Sequence, residues 1–230
     1  MRDRLVAHMR ESGLTPDSRL PTERALAETL GVARTTIRQA MLYLEGEGRI
    51  LRTRRGKRGW FVAPPPLRYD PTRHRNTYRN VLEQGRRPSV ETLDLAMIAA
   101  DAVLARLFAV PVGIDLLRKR SIVLIDDRRV CAEQNYLLAE AFPGFLERPF
   151  RSPLTTFLEK EYGTVVRQVG FRARAARLSG AEAEALDVVP DTPGLRITRV
   201  KTDAAGRIVH VDEEAWIASA IELSVGIPID

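Results

Sequence analysis

The stretch that decides the fold runs from residue 20 to residue 48 and reads LPTERALAETLGVARTTIRQAMLYLEGEG. Its apolar residues recur at helical spacing in two sets, which are Leu26, Ala27 and Leu30, then Ile37, Ala40, Met41 and Leu44. Pro21 or Thr22 lies near the expected start of a helix and Gly31 is a typical helix end, so the first set predicts a helix between them. The second set predicts a helix from residue 33 or 34 to about Gly46. Two helices joined by a tight turn that contains glycine predict a helix-turn-helix.

The sequence on either side of these helices completes a winged domain. Leu5, Val6 and Met9 have the spacing of an earlier helix. After the second helix, residues 49–52 and 59–62 suit two short strands, and the segment RRGKR at 54–58 joins them. A hairpin with such a basic tip is typical of a wing. We therefore predict a winged helix-turn-helix for residues 1–63.

The chain changes character after residue 63. The proline run at 64–66 and Pro71 cannot continue a helix or a central strand, because proline lacks the backbone donor. The balance of charge changes at the same place. The first 75 residues hold 16 of the 36 Lys and Arg residues but only 8 of the 30 Asp and Glu residues, so the net charge of +6 belongs to the N-terminal third. These observations predict a linker at 64–75 and a second domain at 76–230.

A local excess of basic residues is typical of proteins that bind the DNA backbone, although an anionic membrane surface would attract it too. The start of the second helix favours DNA. Arg34 and Arg38 lie one turn apart opposite the apolar stripe, and an arginine fork can pair with guanine in the major groove. Thr35 and Thr36 supply hydroxyls at the same place, and Arg24 can contact phosphates. The alternative is that the two arginines form an ordinary solvated face.

Residues 76–230 predict an α+β domain with a mainly antiparallel sheet. The predicted strands are 116–125, 130–138, 165–178, 195–203 and 207–217, of which the first two form a hairpin. The predicted helices are 153–162 and 181–186.

The stretch from Leu20 to Gly48 resembles the DNA-binding domain of GntR-family bacterial regulators, and the resemblance covers about residues 2–63. It implies a transcriptional repressor that binds a palindromic DNA operator as a homodimer. Together with the basic tip, it predicts DNA contacts by Arg24, Arg34, Thr35, Thr36, Arg38, Arg55, Gly56 and Lys57. Ala33 departs from the family pattern, which has Ser or Thr there, so the recognition helix lacks a side-chain cap.

The second domain resembles the UTRA effector domain of the HutC subfamily of these regulators, which has a chorismate-lyase-like fold. The motifs that carry this resemblance are Leu117–Arg120, Glu133–Tyr136, Ser152–Thr155, Tyr162–Gly163 and Val209–Trp216. The resemblance implies that the domain binds a small-molecule effector.

Basic residues in these motifs are candidates for binding the effector. Arg118 and Arg120 project from one face of a strand, where an anionic ligand or a carboxylate such as Glu133 would hold their charges together. A ligand with both an anionic and a cationic group would also satisfy the acidic face of a later strand. The predicted effector contacts are Arg118, Arg120, Glu133, Tyr136, Ser152, Thr155, Arg172, Asp212, Glu214 and Trp216. The alternative is that these residues form structural salt bridges, a helix cap and a solvated face.

The identity of the effector follows from resemblance alone. Residues 67–74, LRYDPTRH, and 83–88, EQGRRP, are similar to regulators of phosphonate utilisation, which implies an aminoalkylphosphonate. Ile217 and Ser219 depart from those relatives, which have Arg and Asp there. An amino-sugar phosphate and urocanate are the alternatives.

Other classes of protein lack support in the sequence. His8, His74 and His210 are scattered without metal-ligand spacing, and no serine lies in a nucleophile-elbow motif, so we expect neither an enzyme nor a metal site or cofactor. Cys131 has no partner for a disulfide. No apolar run reaches the roughly 18 residues of a membrane helix, and we expect a cytoplasmic protein. An architectural DNA-binding protein without a ligand is a further alternative, against which the polar cluster of the second domain argues.

Overall fold

The computed structural model describes residues 1–53, 59–73, 76–148 and 153–226. These residues divide into two compact units. The N-terminal unit is built from Met1–Arg68, Ala175–Gly194 and Ile217–Glu222, and the C-terminal unit from Tyr69–Arg174, Leu195–Trp216 and the residues from Leu223 onwards. In this part of the chain, no helix has the length and apolar character needed to cross a bilayer.

The N-terminal unit begins with three helices. They are α1 (Arg2–Glu11), α2 (Glu23–Leu30) and α3 (Arg34–Gly46). Thr22 caps α2, because its hydroxyl accepts a hydrogen bond from the backbone N–H of Ala25 at 3.2 Å. Gly31 ends α2 in the left-handed conformation, with φ of 63°, which redirects the chain into α3. The predicted helix-turn-helix is confirmed.

A hairpin packs against these helices and closes their core. Its strands are β1 (Ile50–Thr53) and β2 (Gly59–Val62), which pair antiparallel. The buried core of the three helices and the hairpin consists of Leu5, Leu20, Leu26, Ala27, Ile37, Ala40, Met41, Leu44, Ile50 and Trp60. Leu51 and Phe61 are cross-strand partners on the other face of the hairpin, and they are buried as well. The hairpin is therefore covered on both faces.

Residues from much later in the sequence belong to the same unit. Thr53 at the end of β1 forms an isolated antiparallel bridge with Val188. Gly48, just after α3, has a left-handed φ of 71°, and a Cβ placed on it would lie 3.1 Å from Cβ of Ser219. Burial raises the pKa of Glu45, while the charges of Arg52 and Arg177 oppose that rise. The end of the recognition helix and the wing thus contact chain segments that lie outside residues 1–63.

A six-stranded sheet, most of which lies in the C-terminal unit, has the strand order β4-β5-β6-β9-β8-β7. Its strands are β4 (Pro88–Ala99), β5 (Asp115–Ile125), β6 (Arg128–Leu138), β7 (Arg167–Arg177), β8 (Pro193–Thr202) and β9 (Ile208–Ile217). The pairs β4–β5, β5–β6 and β6–β9 are antiparallel. Asp126 and Asp127, with φ of 51° and 64°, form the tight turn between β5 and β6. The short strands β3 (Leu67–Tyr69) and β10 (Ile221–Leu223) form a separate pair.

Helices cover the two faces of this sheet. The helices after α3 are α4 (Thr77–Glu83), α5 (Ala102–Phe108), α6 (Leu154–Tyr162) and α7 (Gly180–Ala185). Tyr136 and Val211 belong to the apolar cluster that includes α5. Leu117 and Leu137 belong to the cluster that includes α6. Because side chains alternate along a strand, the residues of β5 and β6 divide between an α5 face and an α6 face.

Most predicted elements of this region are present. The hairpin, the three later strands and both helices are confirmed within a few residues, and Ser179 starts α7 with a complete capping box. The sequence analysis did not predict α4, β4 or α5. These elements matter because α4 and β4 supply one wall of the site described next.

Candidate effector cavity and DNA-binding helix

The recognition helix α3 presents its basic residues to solvent. The Arg34 side chain is 70% exposed, and Thr35 and Arg38 are also exposed, whereas Thr36 is partly buried. The opposite stripe of α3 is buried in the core. An exposed polar face on a helix held from behind by its apolar face is the arrangement that enters the major groove.

The start of α3 is held without a side-chain cap. Ala33 is extended and makes no side-chain hydrogen bond to the helix, as the sequence predicted. Nε of Arg34 lies 3.1 Å from Oε2 of Glu23 on α2, and this ion pair joins the two helices at the turn. Arg24 is 84% exposed and lies 3.9 Å from Glu28, so its guanidinium is accessible to a phosphate. The predicted wing contacts Arg55, Gly56 and Lys57 lie outside the described residues.

The C-terminal unit contains a cavity of about 370 Å³. This volume falls in the range of small-molecule sites. The charged residues that line it are Lys119, Glu133, Arg199 and Lys201. The other residues that line it are Asn76, Thr77, Tyr78, Pro88, Ser89, Val90, Thr92, Val123, Asn135, Pro153, Leu154, Thr155 and His210.

A buried charge cluster forms the floor of the cavity. Arg199 donates from Nε to Oδ2 of Asp212 at 2.6 Å and also pairs with Glu214. Its Nη1 donates to the hydroxyl of Tyr69 at 2.7 Å. Nζ of Lys201 lies 2.8 Å from Oδ1 of Asp212. The carboxylate of Asp212 is therefore shared between two buried cations on β8.

The charges in this cluster stabilise one another. Although burial by itself acts in the opposite direction, Arg199 and Lys201 hold the pKa of Asp212 below its ordinary value. In the same way, Asp212 raises the pKa of Arg199 against the effect of burial. Burial prevails at Lys201, whose pKa is lowered despite the attraction of Asp212. An anion bound beside Lys201 would favour its charged form.

A third basic side chain, that of Lys119, reaches the cavity from β5. Nζ of Lys119 donates to Oγ of Ser121 at 3.0 Å, and Ser121 donates to Oε2 of Glu133 at 3.0 Å. Burial lowers the pKa of Lys119, while Glu133 opposes that shift. The register of β5, β6 and β9 aligns Lys119 with Asn135 and Asp212, so these residues share the α6 face.

His210 and Asn135 form a neutral pair in the same cavity. Nε2 of His210 lies 2.8 Å from Oδ1 of Asn135. Burial, with the charges of Lys201 and Arg199, lowers the pKa of His210 well below its ordinary value, although Asp212 opposes this. The imidazole is accordingly uncharged near neutral pH.

Three carboxylates of the cluster lie close enough together to hold a metal ion. The ligand atoms of Glu133, Asp212 and Glu214 are within 4.8 Å of one another. Arg199 already pairs with both Asp212 and Glu214, so a protein cation supplies the positive charge that these carboxylates require.

Some predicted effector residues meet in the cavity. Glu133 and Thr155 line it. Asp212 and Glu214 lie beneath it and hold Arg199, and the indole of Trp216 donates to Oε2 of Glu214 at 2.7 Å. Ser152 lies outside the described residues.

Other predicted effector residues lie elsewhere. Arg118 and Arg120 share the α5 face of β5, where Asp94 of β4 pairs with both. A carboxylate does hold the two guanidinium groups together, but it is Asp94 and not Glu133. Tyr136 is aligned with Arg118 on that face and donates to Gln134. Arg172 is exposed on β7 and does not line the cavity.

The sequence analysis missed the five buried polar residues that line the cavity, namely Lys119, Asn135, Arg199, Lys201 and His210. Lys119 lies between Arg118 and Arg120, so the sequence analysis chose a strand that lines the cavity but selected residues on its opposite face. Arg199 and Lys201 are two apart in a strand with apolar neighbours, and two basic residues on one face of an inner strand were a usable signal.

The fold and the site define a DNA-binding transcriptional regulator. Residues 1–62 match the family described as bacterial regulatory proteins, gntR family, and residues 83–222 match the UTRA domain. The chain therefore belongs to the gntR family of regulators that carry a UTRA domain, and it is not an enzyme.

Similar proteins are regulators of the same kind. The chain is 31% identical to the HTH-type transcriptional regulator YihL of Escherichia coli (strain K12), over 98% of this chain and 95% of that protein. It is 30% identical to the HTH-type transcriptional repressor PhnF of Mycolicibacterium smegmatis (strain ATCC 700084 / mc(2)155), over 80% of this chain and 73% of that protein. The crystal structure of PhnF from Mycobacterium smegmatis has the same fold, with a TM-score of 0.68 at 24% identity over 100% of this chain and 99% of that chain.

Proposed function

We propose that the chain is a ligand-responsive repressor that binds a palindromic operator as a homodimer and takes an anionic effector in the cavity of its C-terminal unit. Transcriptional repressors are among its relatives. A repressor of this kind acts on chromosomal DNA in the bacterial cytoplasm. Two recognition helices related by a twofold axis would read half-sites about one helical turn apart.

The DNA-binding part of the proposal rests on α3. Arg34, Thr35 and Arg38 lie on its accessible face, and arginine reads guanine through two parallel hydrogen bonds. Arg24 on α2 supports phosphate contacts, which fix orientation and add salt dependence.

The effector part rests on one observation: three basic side chains that are at least nine-tenths buried line the same cavity. They are Lys119, Arg199 and Lys201. Burying cations is costly unless negative charge compensates them. Glu133, Asp212 and Glu214 provide part of that compensation, and an anionic ligand would add to it on the open side. Aminoalkylphosphonates, amino-sugar phosphates and urocanate all carry the required anionic group.

Effector and operator are expected to act on each other reciprocally. If the effector releases DNA, then operator binding weakens effector binding by the same factor. The proposal is that the effector changes the separation or orientation of the two winged domains within the dimer.

The DNA part is tested by selecting binding sequences from random duplexes with the full chain and measuring their affinity. Arg38→Ala is expected to lower the affinity for the selected palindrome by about 5- to 150-fold and to relax the base preference at one position of each half-site. Arg10→Ala, which removes another exposed arginine, on α1, is the control. Equal effects of the two substitutions, or selected sequences without twofold symmetry, would contradict this part of the proposal.

The effector part is tested by calorimetry with 2-aminoethylphosphonate, N-acetylglucosamine 6-phosphate and urocanate. Lys119→Met is expected to abolish the binding of whichever anion binds. Arg118→Met, on the opposite face of the same strand, is expected to leave that binding unchanged. The opposite pattern would transfer the effector site to the α5 face of the sheet.

A further inference from the structure

One buried arginine of the cavity also holds the segment through which the DNA-binding helices are connected to the rest of the chain. The winged residues 1–62 continue into residues 63–68, and Tyr69 is the next residue and the first of the C-terminal unit. The Tyr69 side chain is buried, and its hydroxyl accepts a hydrogen bond from Nη1 of Arg199 at 2.7 Å. Arg199 is buried as well and lines the cavity. A single hydrogen bond thus joins the lining of the cavity to this connection.

Other contacts fix the position of Tyr69 and of the residues that follow it. The backbone oxygen of Tyr69 accepts from the backbone N–H of Ser224 at 3.0 Å, and its ring centroid lies 6.5 Å from that of Phe171. Nε2 of Gln168 donates to the backbone oxygen of Pro71 at 2.9 Å. None of these three contacts involves a residue that lines the cavity. Among the contacts named here, only the hydroxyl of Tyr69 senses the state of the cavity directly.

The guanidinium of Arg199 is shared between charged and neutral acceptors. Its Nε donates to Asp212 at 2.6 Å, and its Nη2 pairs with Glu214. Its Nη1 faces two hydroxyls, that of Tyr69 at 2.7 Å and that of Thr77 at 3.5 Å. An arginine binds a carboxylate more strongly than a neutral hydroxyl, because both members of the first pair are charged. The bond to Tyr69 is therefore weaker than the bonds to the two carboxylates, and it is the one that changes first when the guanidinium shifts.

We propose that Tyr69 is a positioning residue through which the effector acts on operator binding. An anion in the cavity attracts the guanidinium of Arg199, and this attraction changes the bond of Arg199 to the Tyr69 hydroxyl. The state of that bond sets how firmly the connection to the winged residues 1–62 is held. The inference rests on the anionic effector proposed above and adds the contact by which its binding is transmitted. By linkage, the bond to Tyr69 also changes the affinity for the effector.

The test measures a coupling factor, which is the ratio of the operator affinities of the full chain with and without a saturating probe. The operator is the duplex selected as above, and the probes are 2-aminoethylphosphonate, N-acetylglucosamine 6-phosphate and urocanate. A probe that binds is expected to change the operator affinity of the unsubstituted protein by about fivefold or more. Tyr69→Phe keeps the ring and is expected to bind the probe still, but with a coupling factor within about twofold of one. The reason is that one hydrogen bond to a charged group changes an equilibrium by about tenfold.

Tyr162→Phe is the matched control. It removes a tyrosine hydroxyl that donates to the backbone oxygen of Pro143 at 3.1 Å, and Tyr162 does not line the cavity. This variant is expected to keep the full coupling factor. A general loss of stability would affect both variants, whereas a loss of coupling is expected only in Tyr69→Phe.

Hydrogen exchange gives a second readout that needs no DNA. Adding the probe is expected to change the exchange rates of peptides that cover residues 67–73 in the unsubstituted protein, and to leave them unchanged in Tyr69→Phe. The measurement on the unsubstituted protein decides the matter even if the variant fails to fold.

The outcomes separate this inference from the proposed function. A full coupling factor in Tyr69→Phe, equal losses of coupling in the two variants, or exchange at residues 67–73 that a bound probe does not alter would each overturn the role of Tyr69 and leave the anionic effector standing. A probe that binds without changing the operator affinity of the unsubstituted protein would overturn it too. If none of the probes binds at millimolar concentration, both the anionic effector and this inference fall.

Discussion

Removing the carboxylate of Asp212 should destabilise the protein far more than removing an exposed carboxylate. Asp212 accepts from Arg199 at 2.6 Å and pairs with Lys201 at 2.8 Å, and all three side chains are buried. In Asp212→Ala, Arg199 keeps Glu214, but Lys201 loses its acidic partner. Breaking a buried ion pair by removing one member costs about 3–5 kcal/mol.

The same loss of stability can be estimated in a second way, by assuming that Lys201 loses its proton when Asp212 is replaced. Removing the proton from a lysine of ordinary pKa near 10.4 at pH 7 costs about 4.6 kcal/mol, at about 1.36 kcal/mol per pH unit. Because burial already lowers the pKa of Lys201, the true cost is smaller. Both routes predict a loss of about 3–4.6 kcal/mol in the free energy of unfolding. For a chain of this length, that corresponds to a fall of roughly 6–18 °C in the melting temperature.

The assay is thermal and urea unfolding of the full chain at pH 7 and pH 9. The control is Glu140→Ala, whose side chain is 66% exposed and pairs with Arg207 on the surface; its cost is expected to be at most about 1 kcal/mol. A lysine whose folded pKa lies below its unfolded pKa favours folding increasingly as the pH rises, so the deficit of Asp212→Ala should shrink by up to about 2.7 kcal/mol at pH 9. Asp212→Asn, which keeps the volume and one acceptor, should be intermediate. A deficit equal to that of the control, or one that does not shrink at pH 9, would refute this account of the cluster.

Two further predictions concern His210 and Gly48. The folded pKa of His210 lies well below its unfolded value, so this residue makes the protein less stable as the pH falls below about 6.5, by up to about 1.4 kcal/mol per pH unit. His210→Gln should remove this part of the pH dependence of the free energy of unfolding, measured with urea between pH 7 and pH 5. An unchanged pH dependence would contradict a neutral buried imidazole. Gly48→Ala should cost about 2 kcal/mol or more, because the left-handed φ costs roughly 1–2 kcal/mol and the new methyl would lie 3.1 Å from Cβ of Ser219. Gly13→Ala has a similar φ of 64° but nothing within 4 Å, so equal losses in the two variants would show that Ser219 does not resist the methyl.

Local signals in the sequence were sufficient for the N-terminal fold. The cap at Thr22, the stop at Gly31 and the apolar stripe of α3 all depend on neighbouring residues, and each has its expected place. The departure at Ala33 was also read correctly from sequence, because a missing hydroxyl is visible without coordinates. The beginning and end of the linker stay a prediction.

The candidate effector cavity was harder to predict because it depends on pairing between distant strands. A strand exposes alternate residues on two faces, and nothing local says which face of β5 meets the cavity. The sequence analysis chose Arg118 and Arg120, but those face Asp94 of β4, a strand that was not predicted. Lys119 between them is the cavity residue. Similarly, His210 gains its neighbours Asn135 and Lys201 only when β9 is inserted between β6 and β8.

The assembly of the N-terminal unit from three separate stretches of chain has a consequence for engineering. Sensor chimeras are commonly built by exchanging DNA-binding modules at the linker, on the assumption that the module ends there. In this protein such a cut would remove Val188 from its bridge with Thr53 and Ser219 from its contact with Gly48. The grafted module would lose a contact at the end of β1 and another just after α3. A working chimera would have to include residues 175–194 and 217–222 together with the DNA-binding domain.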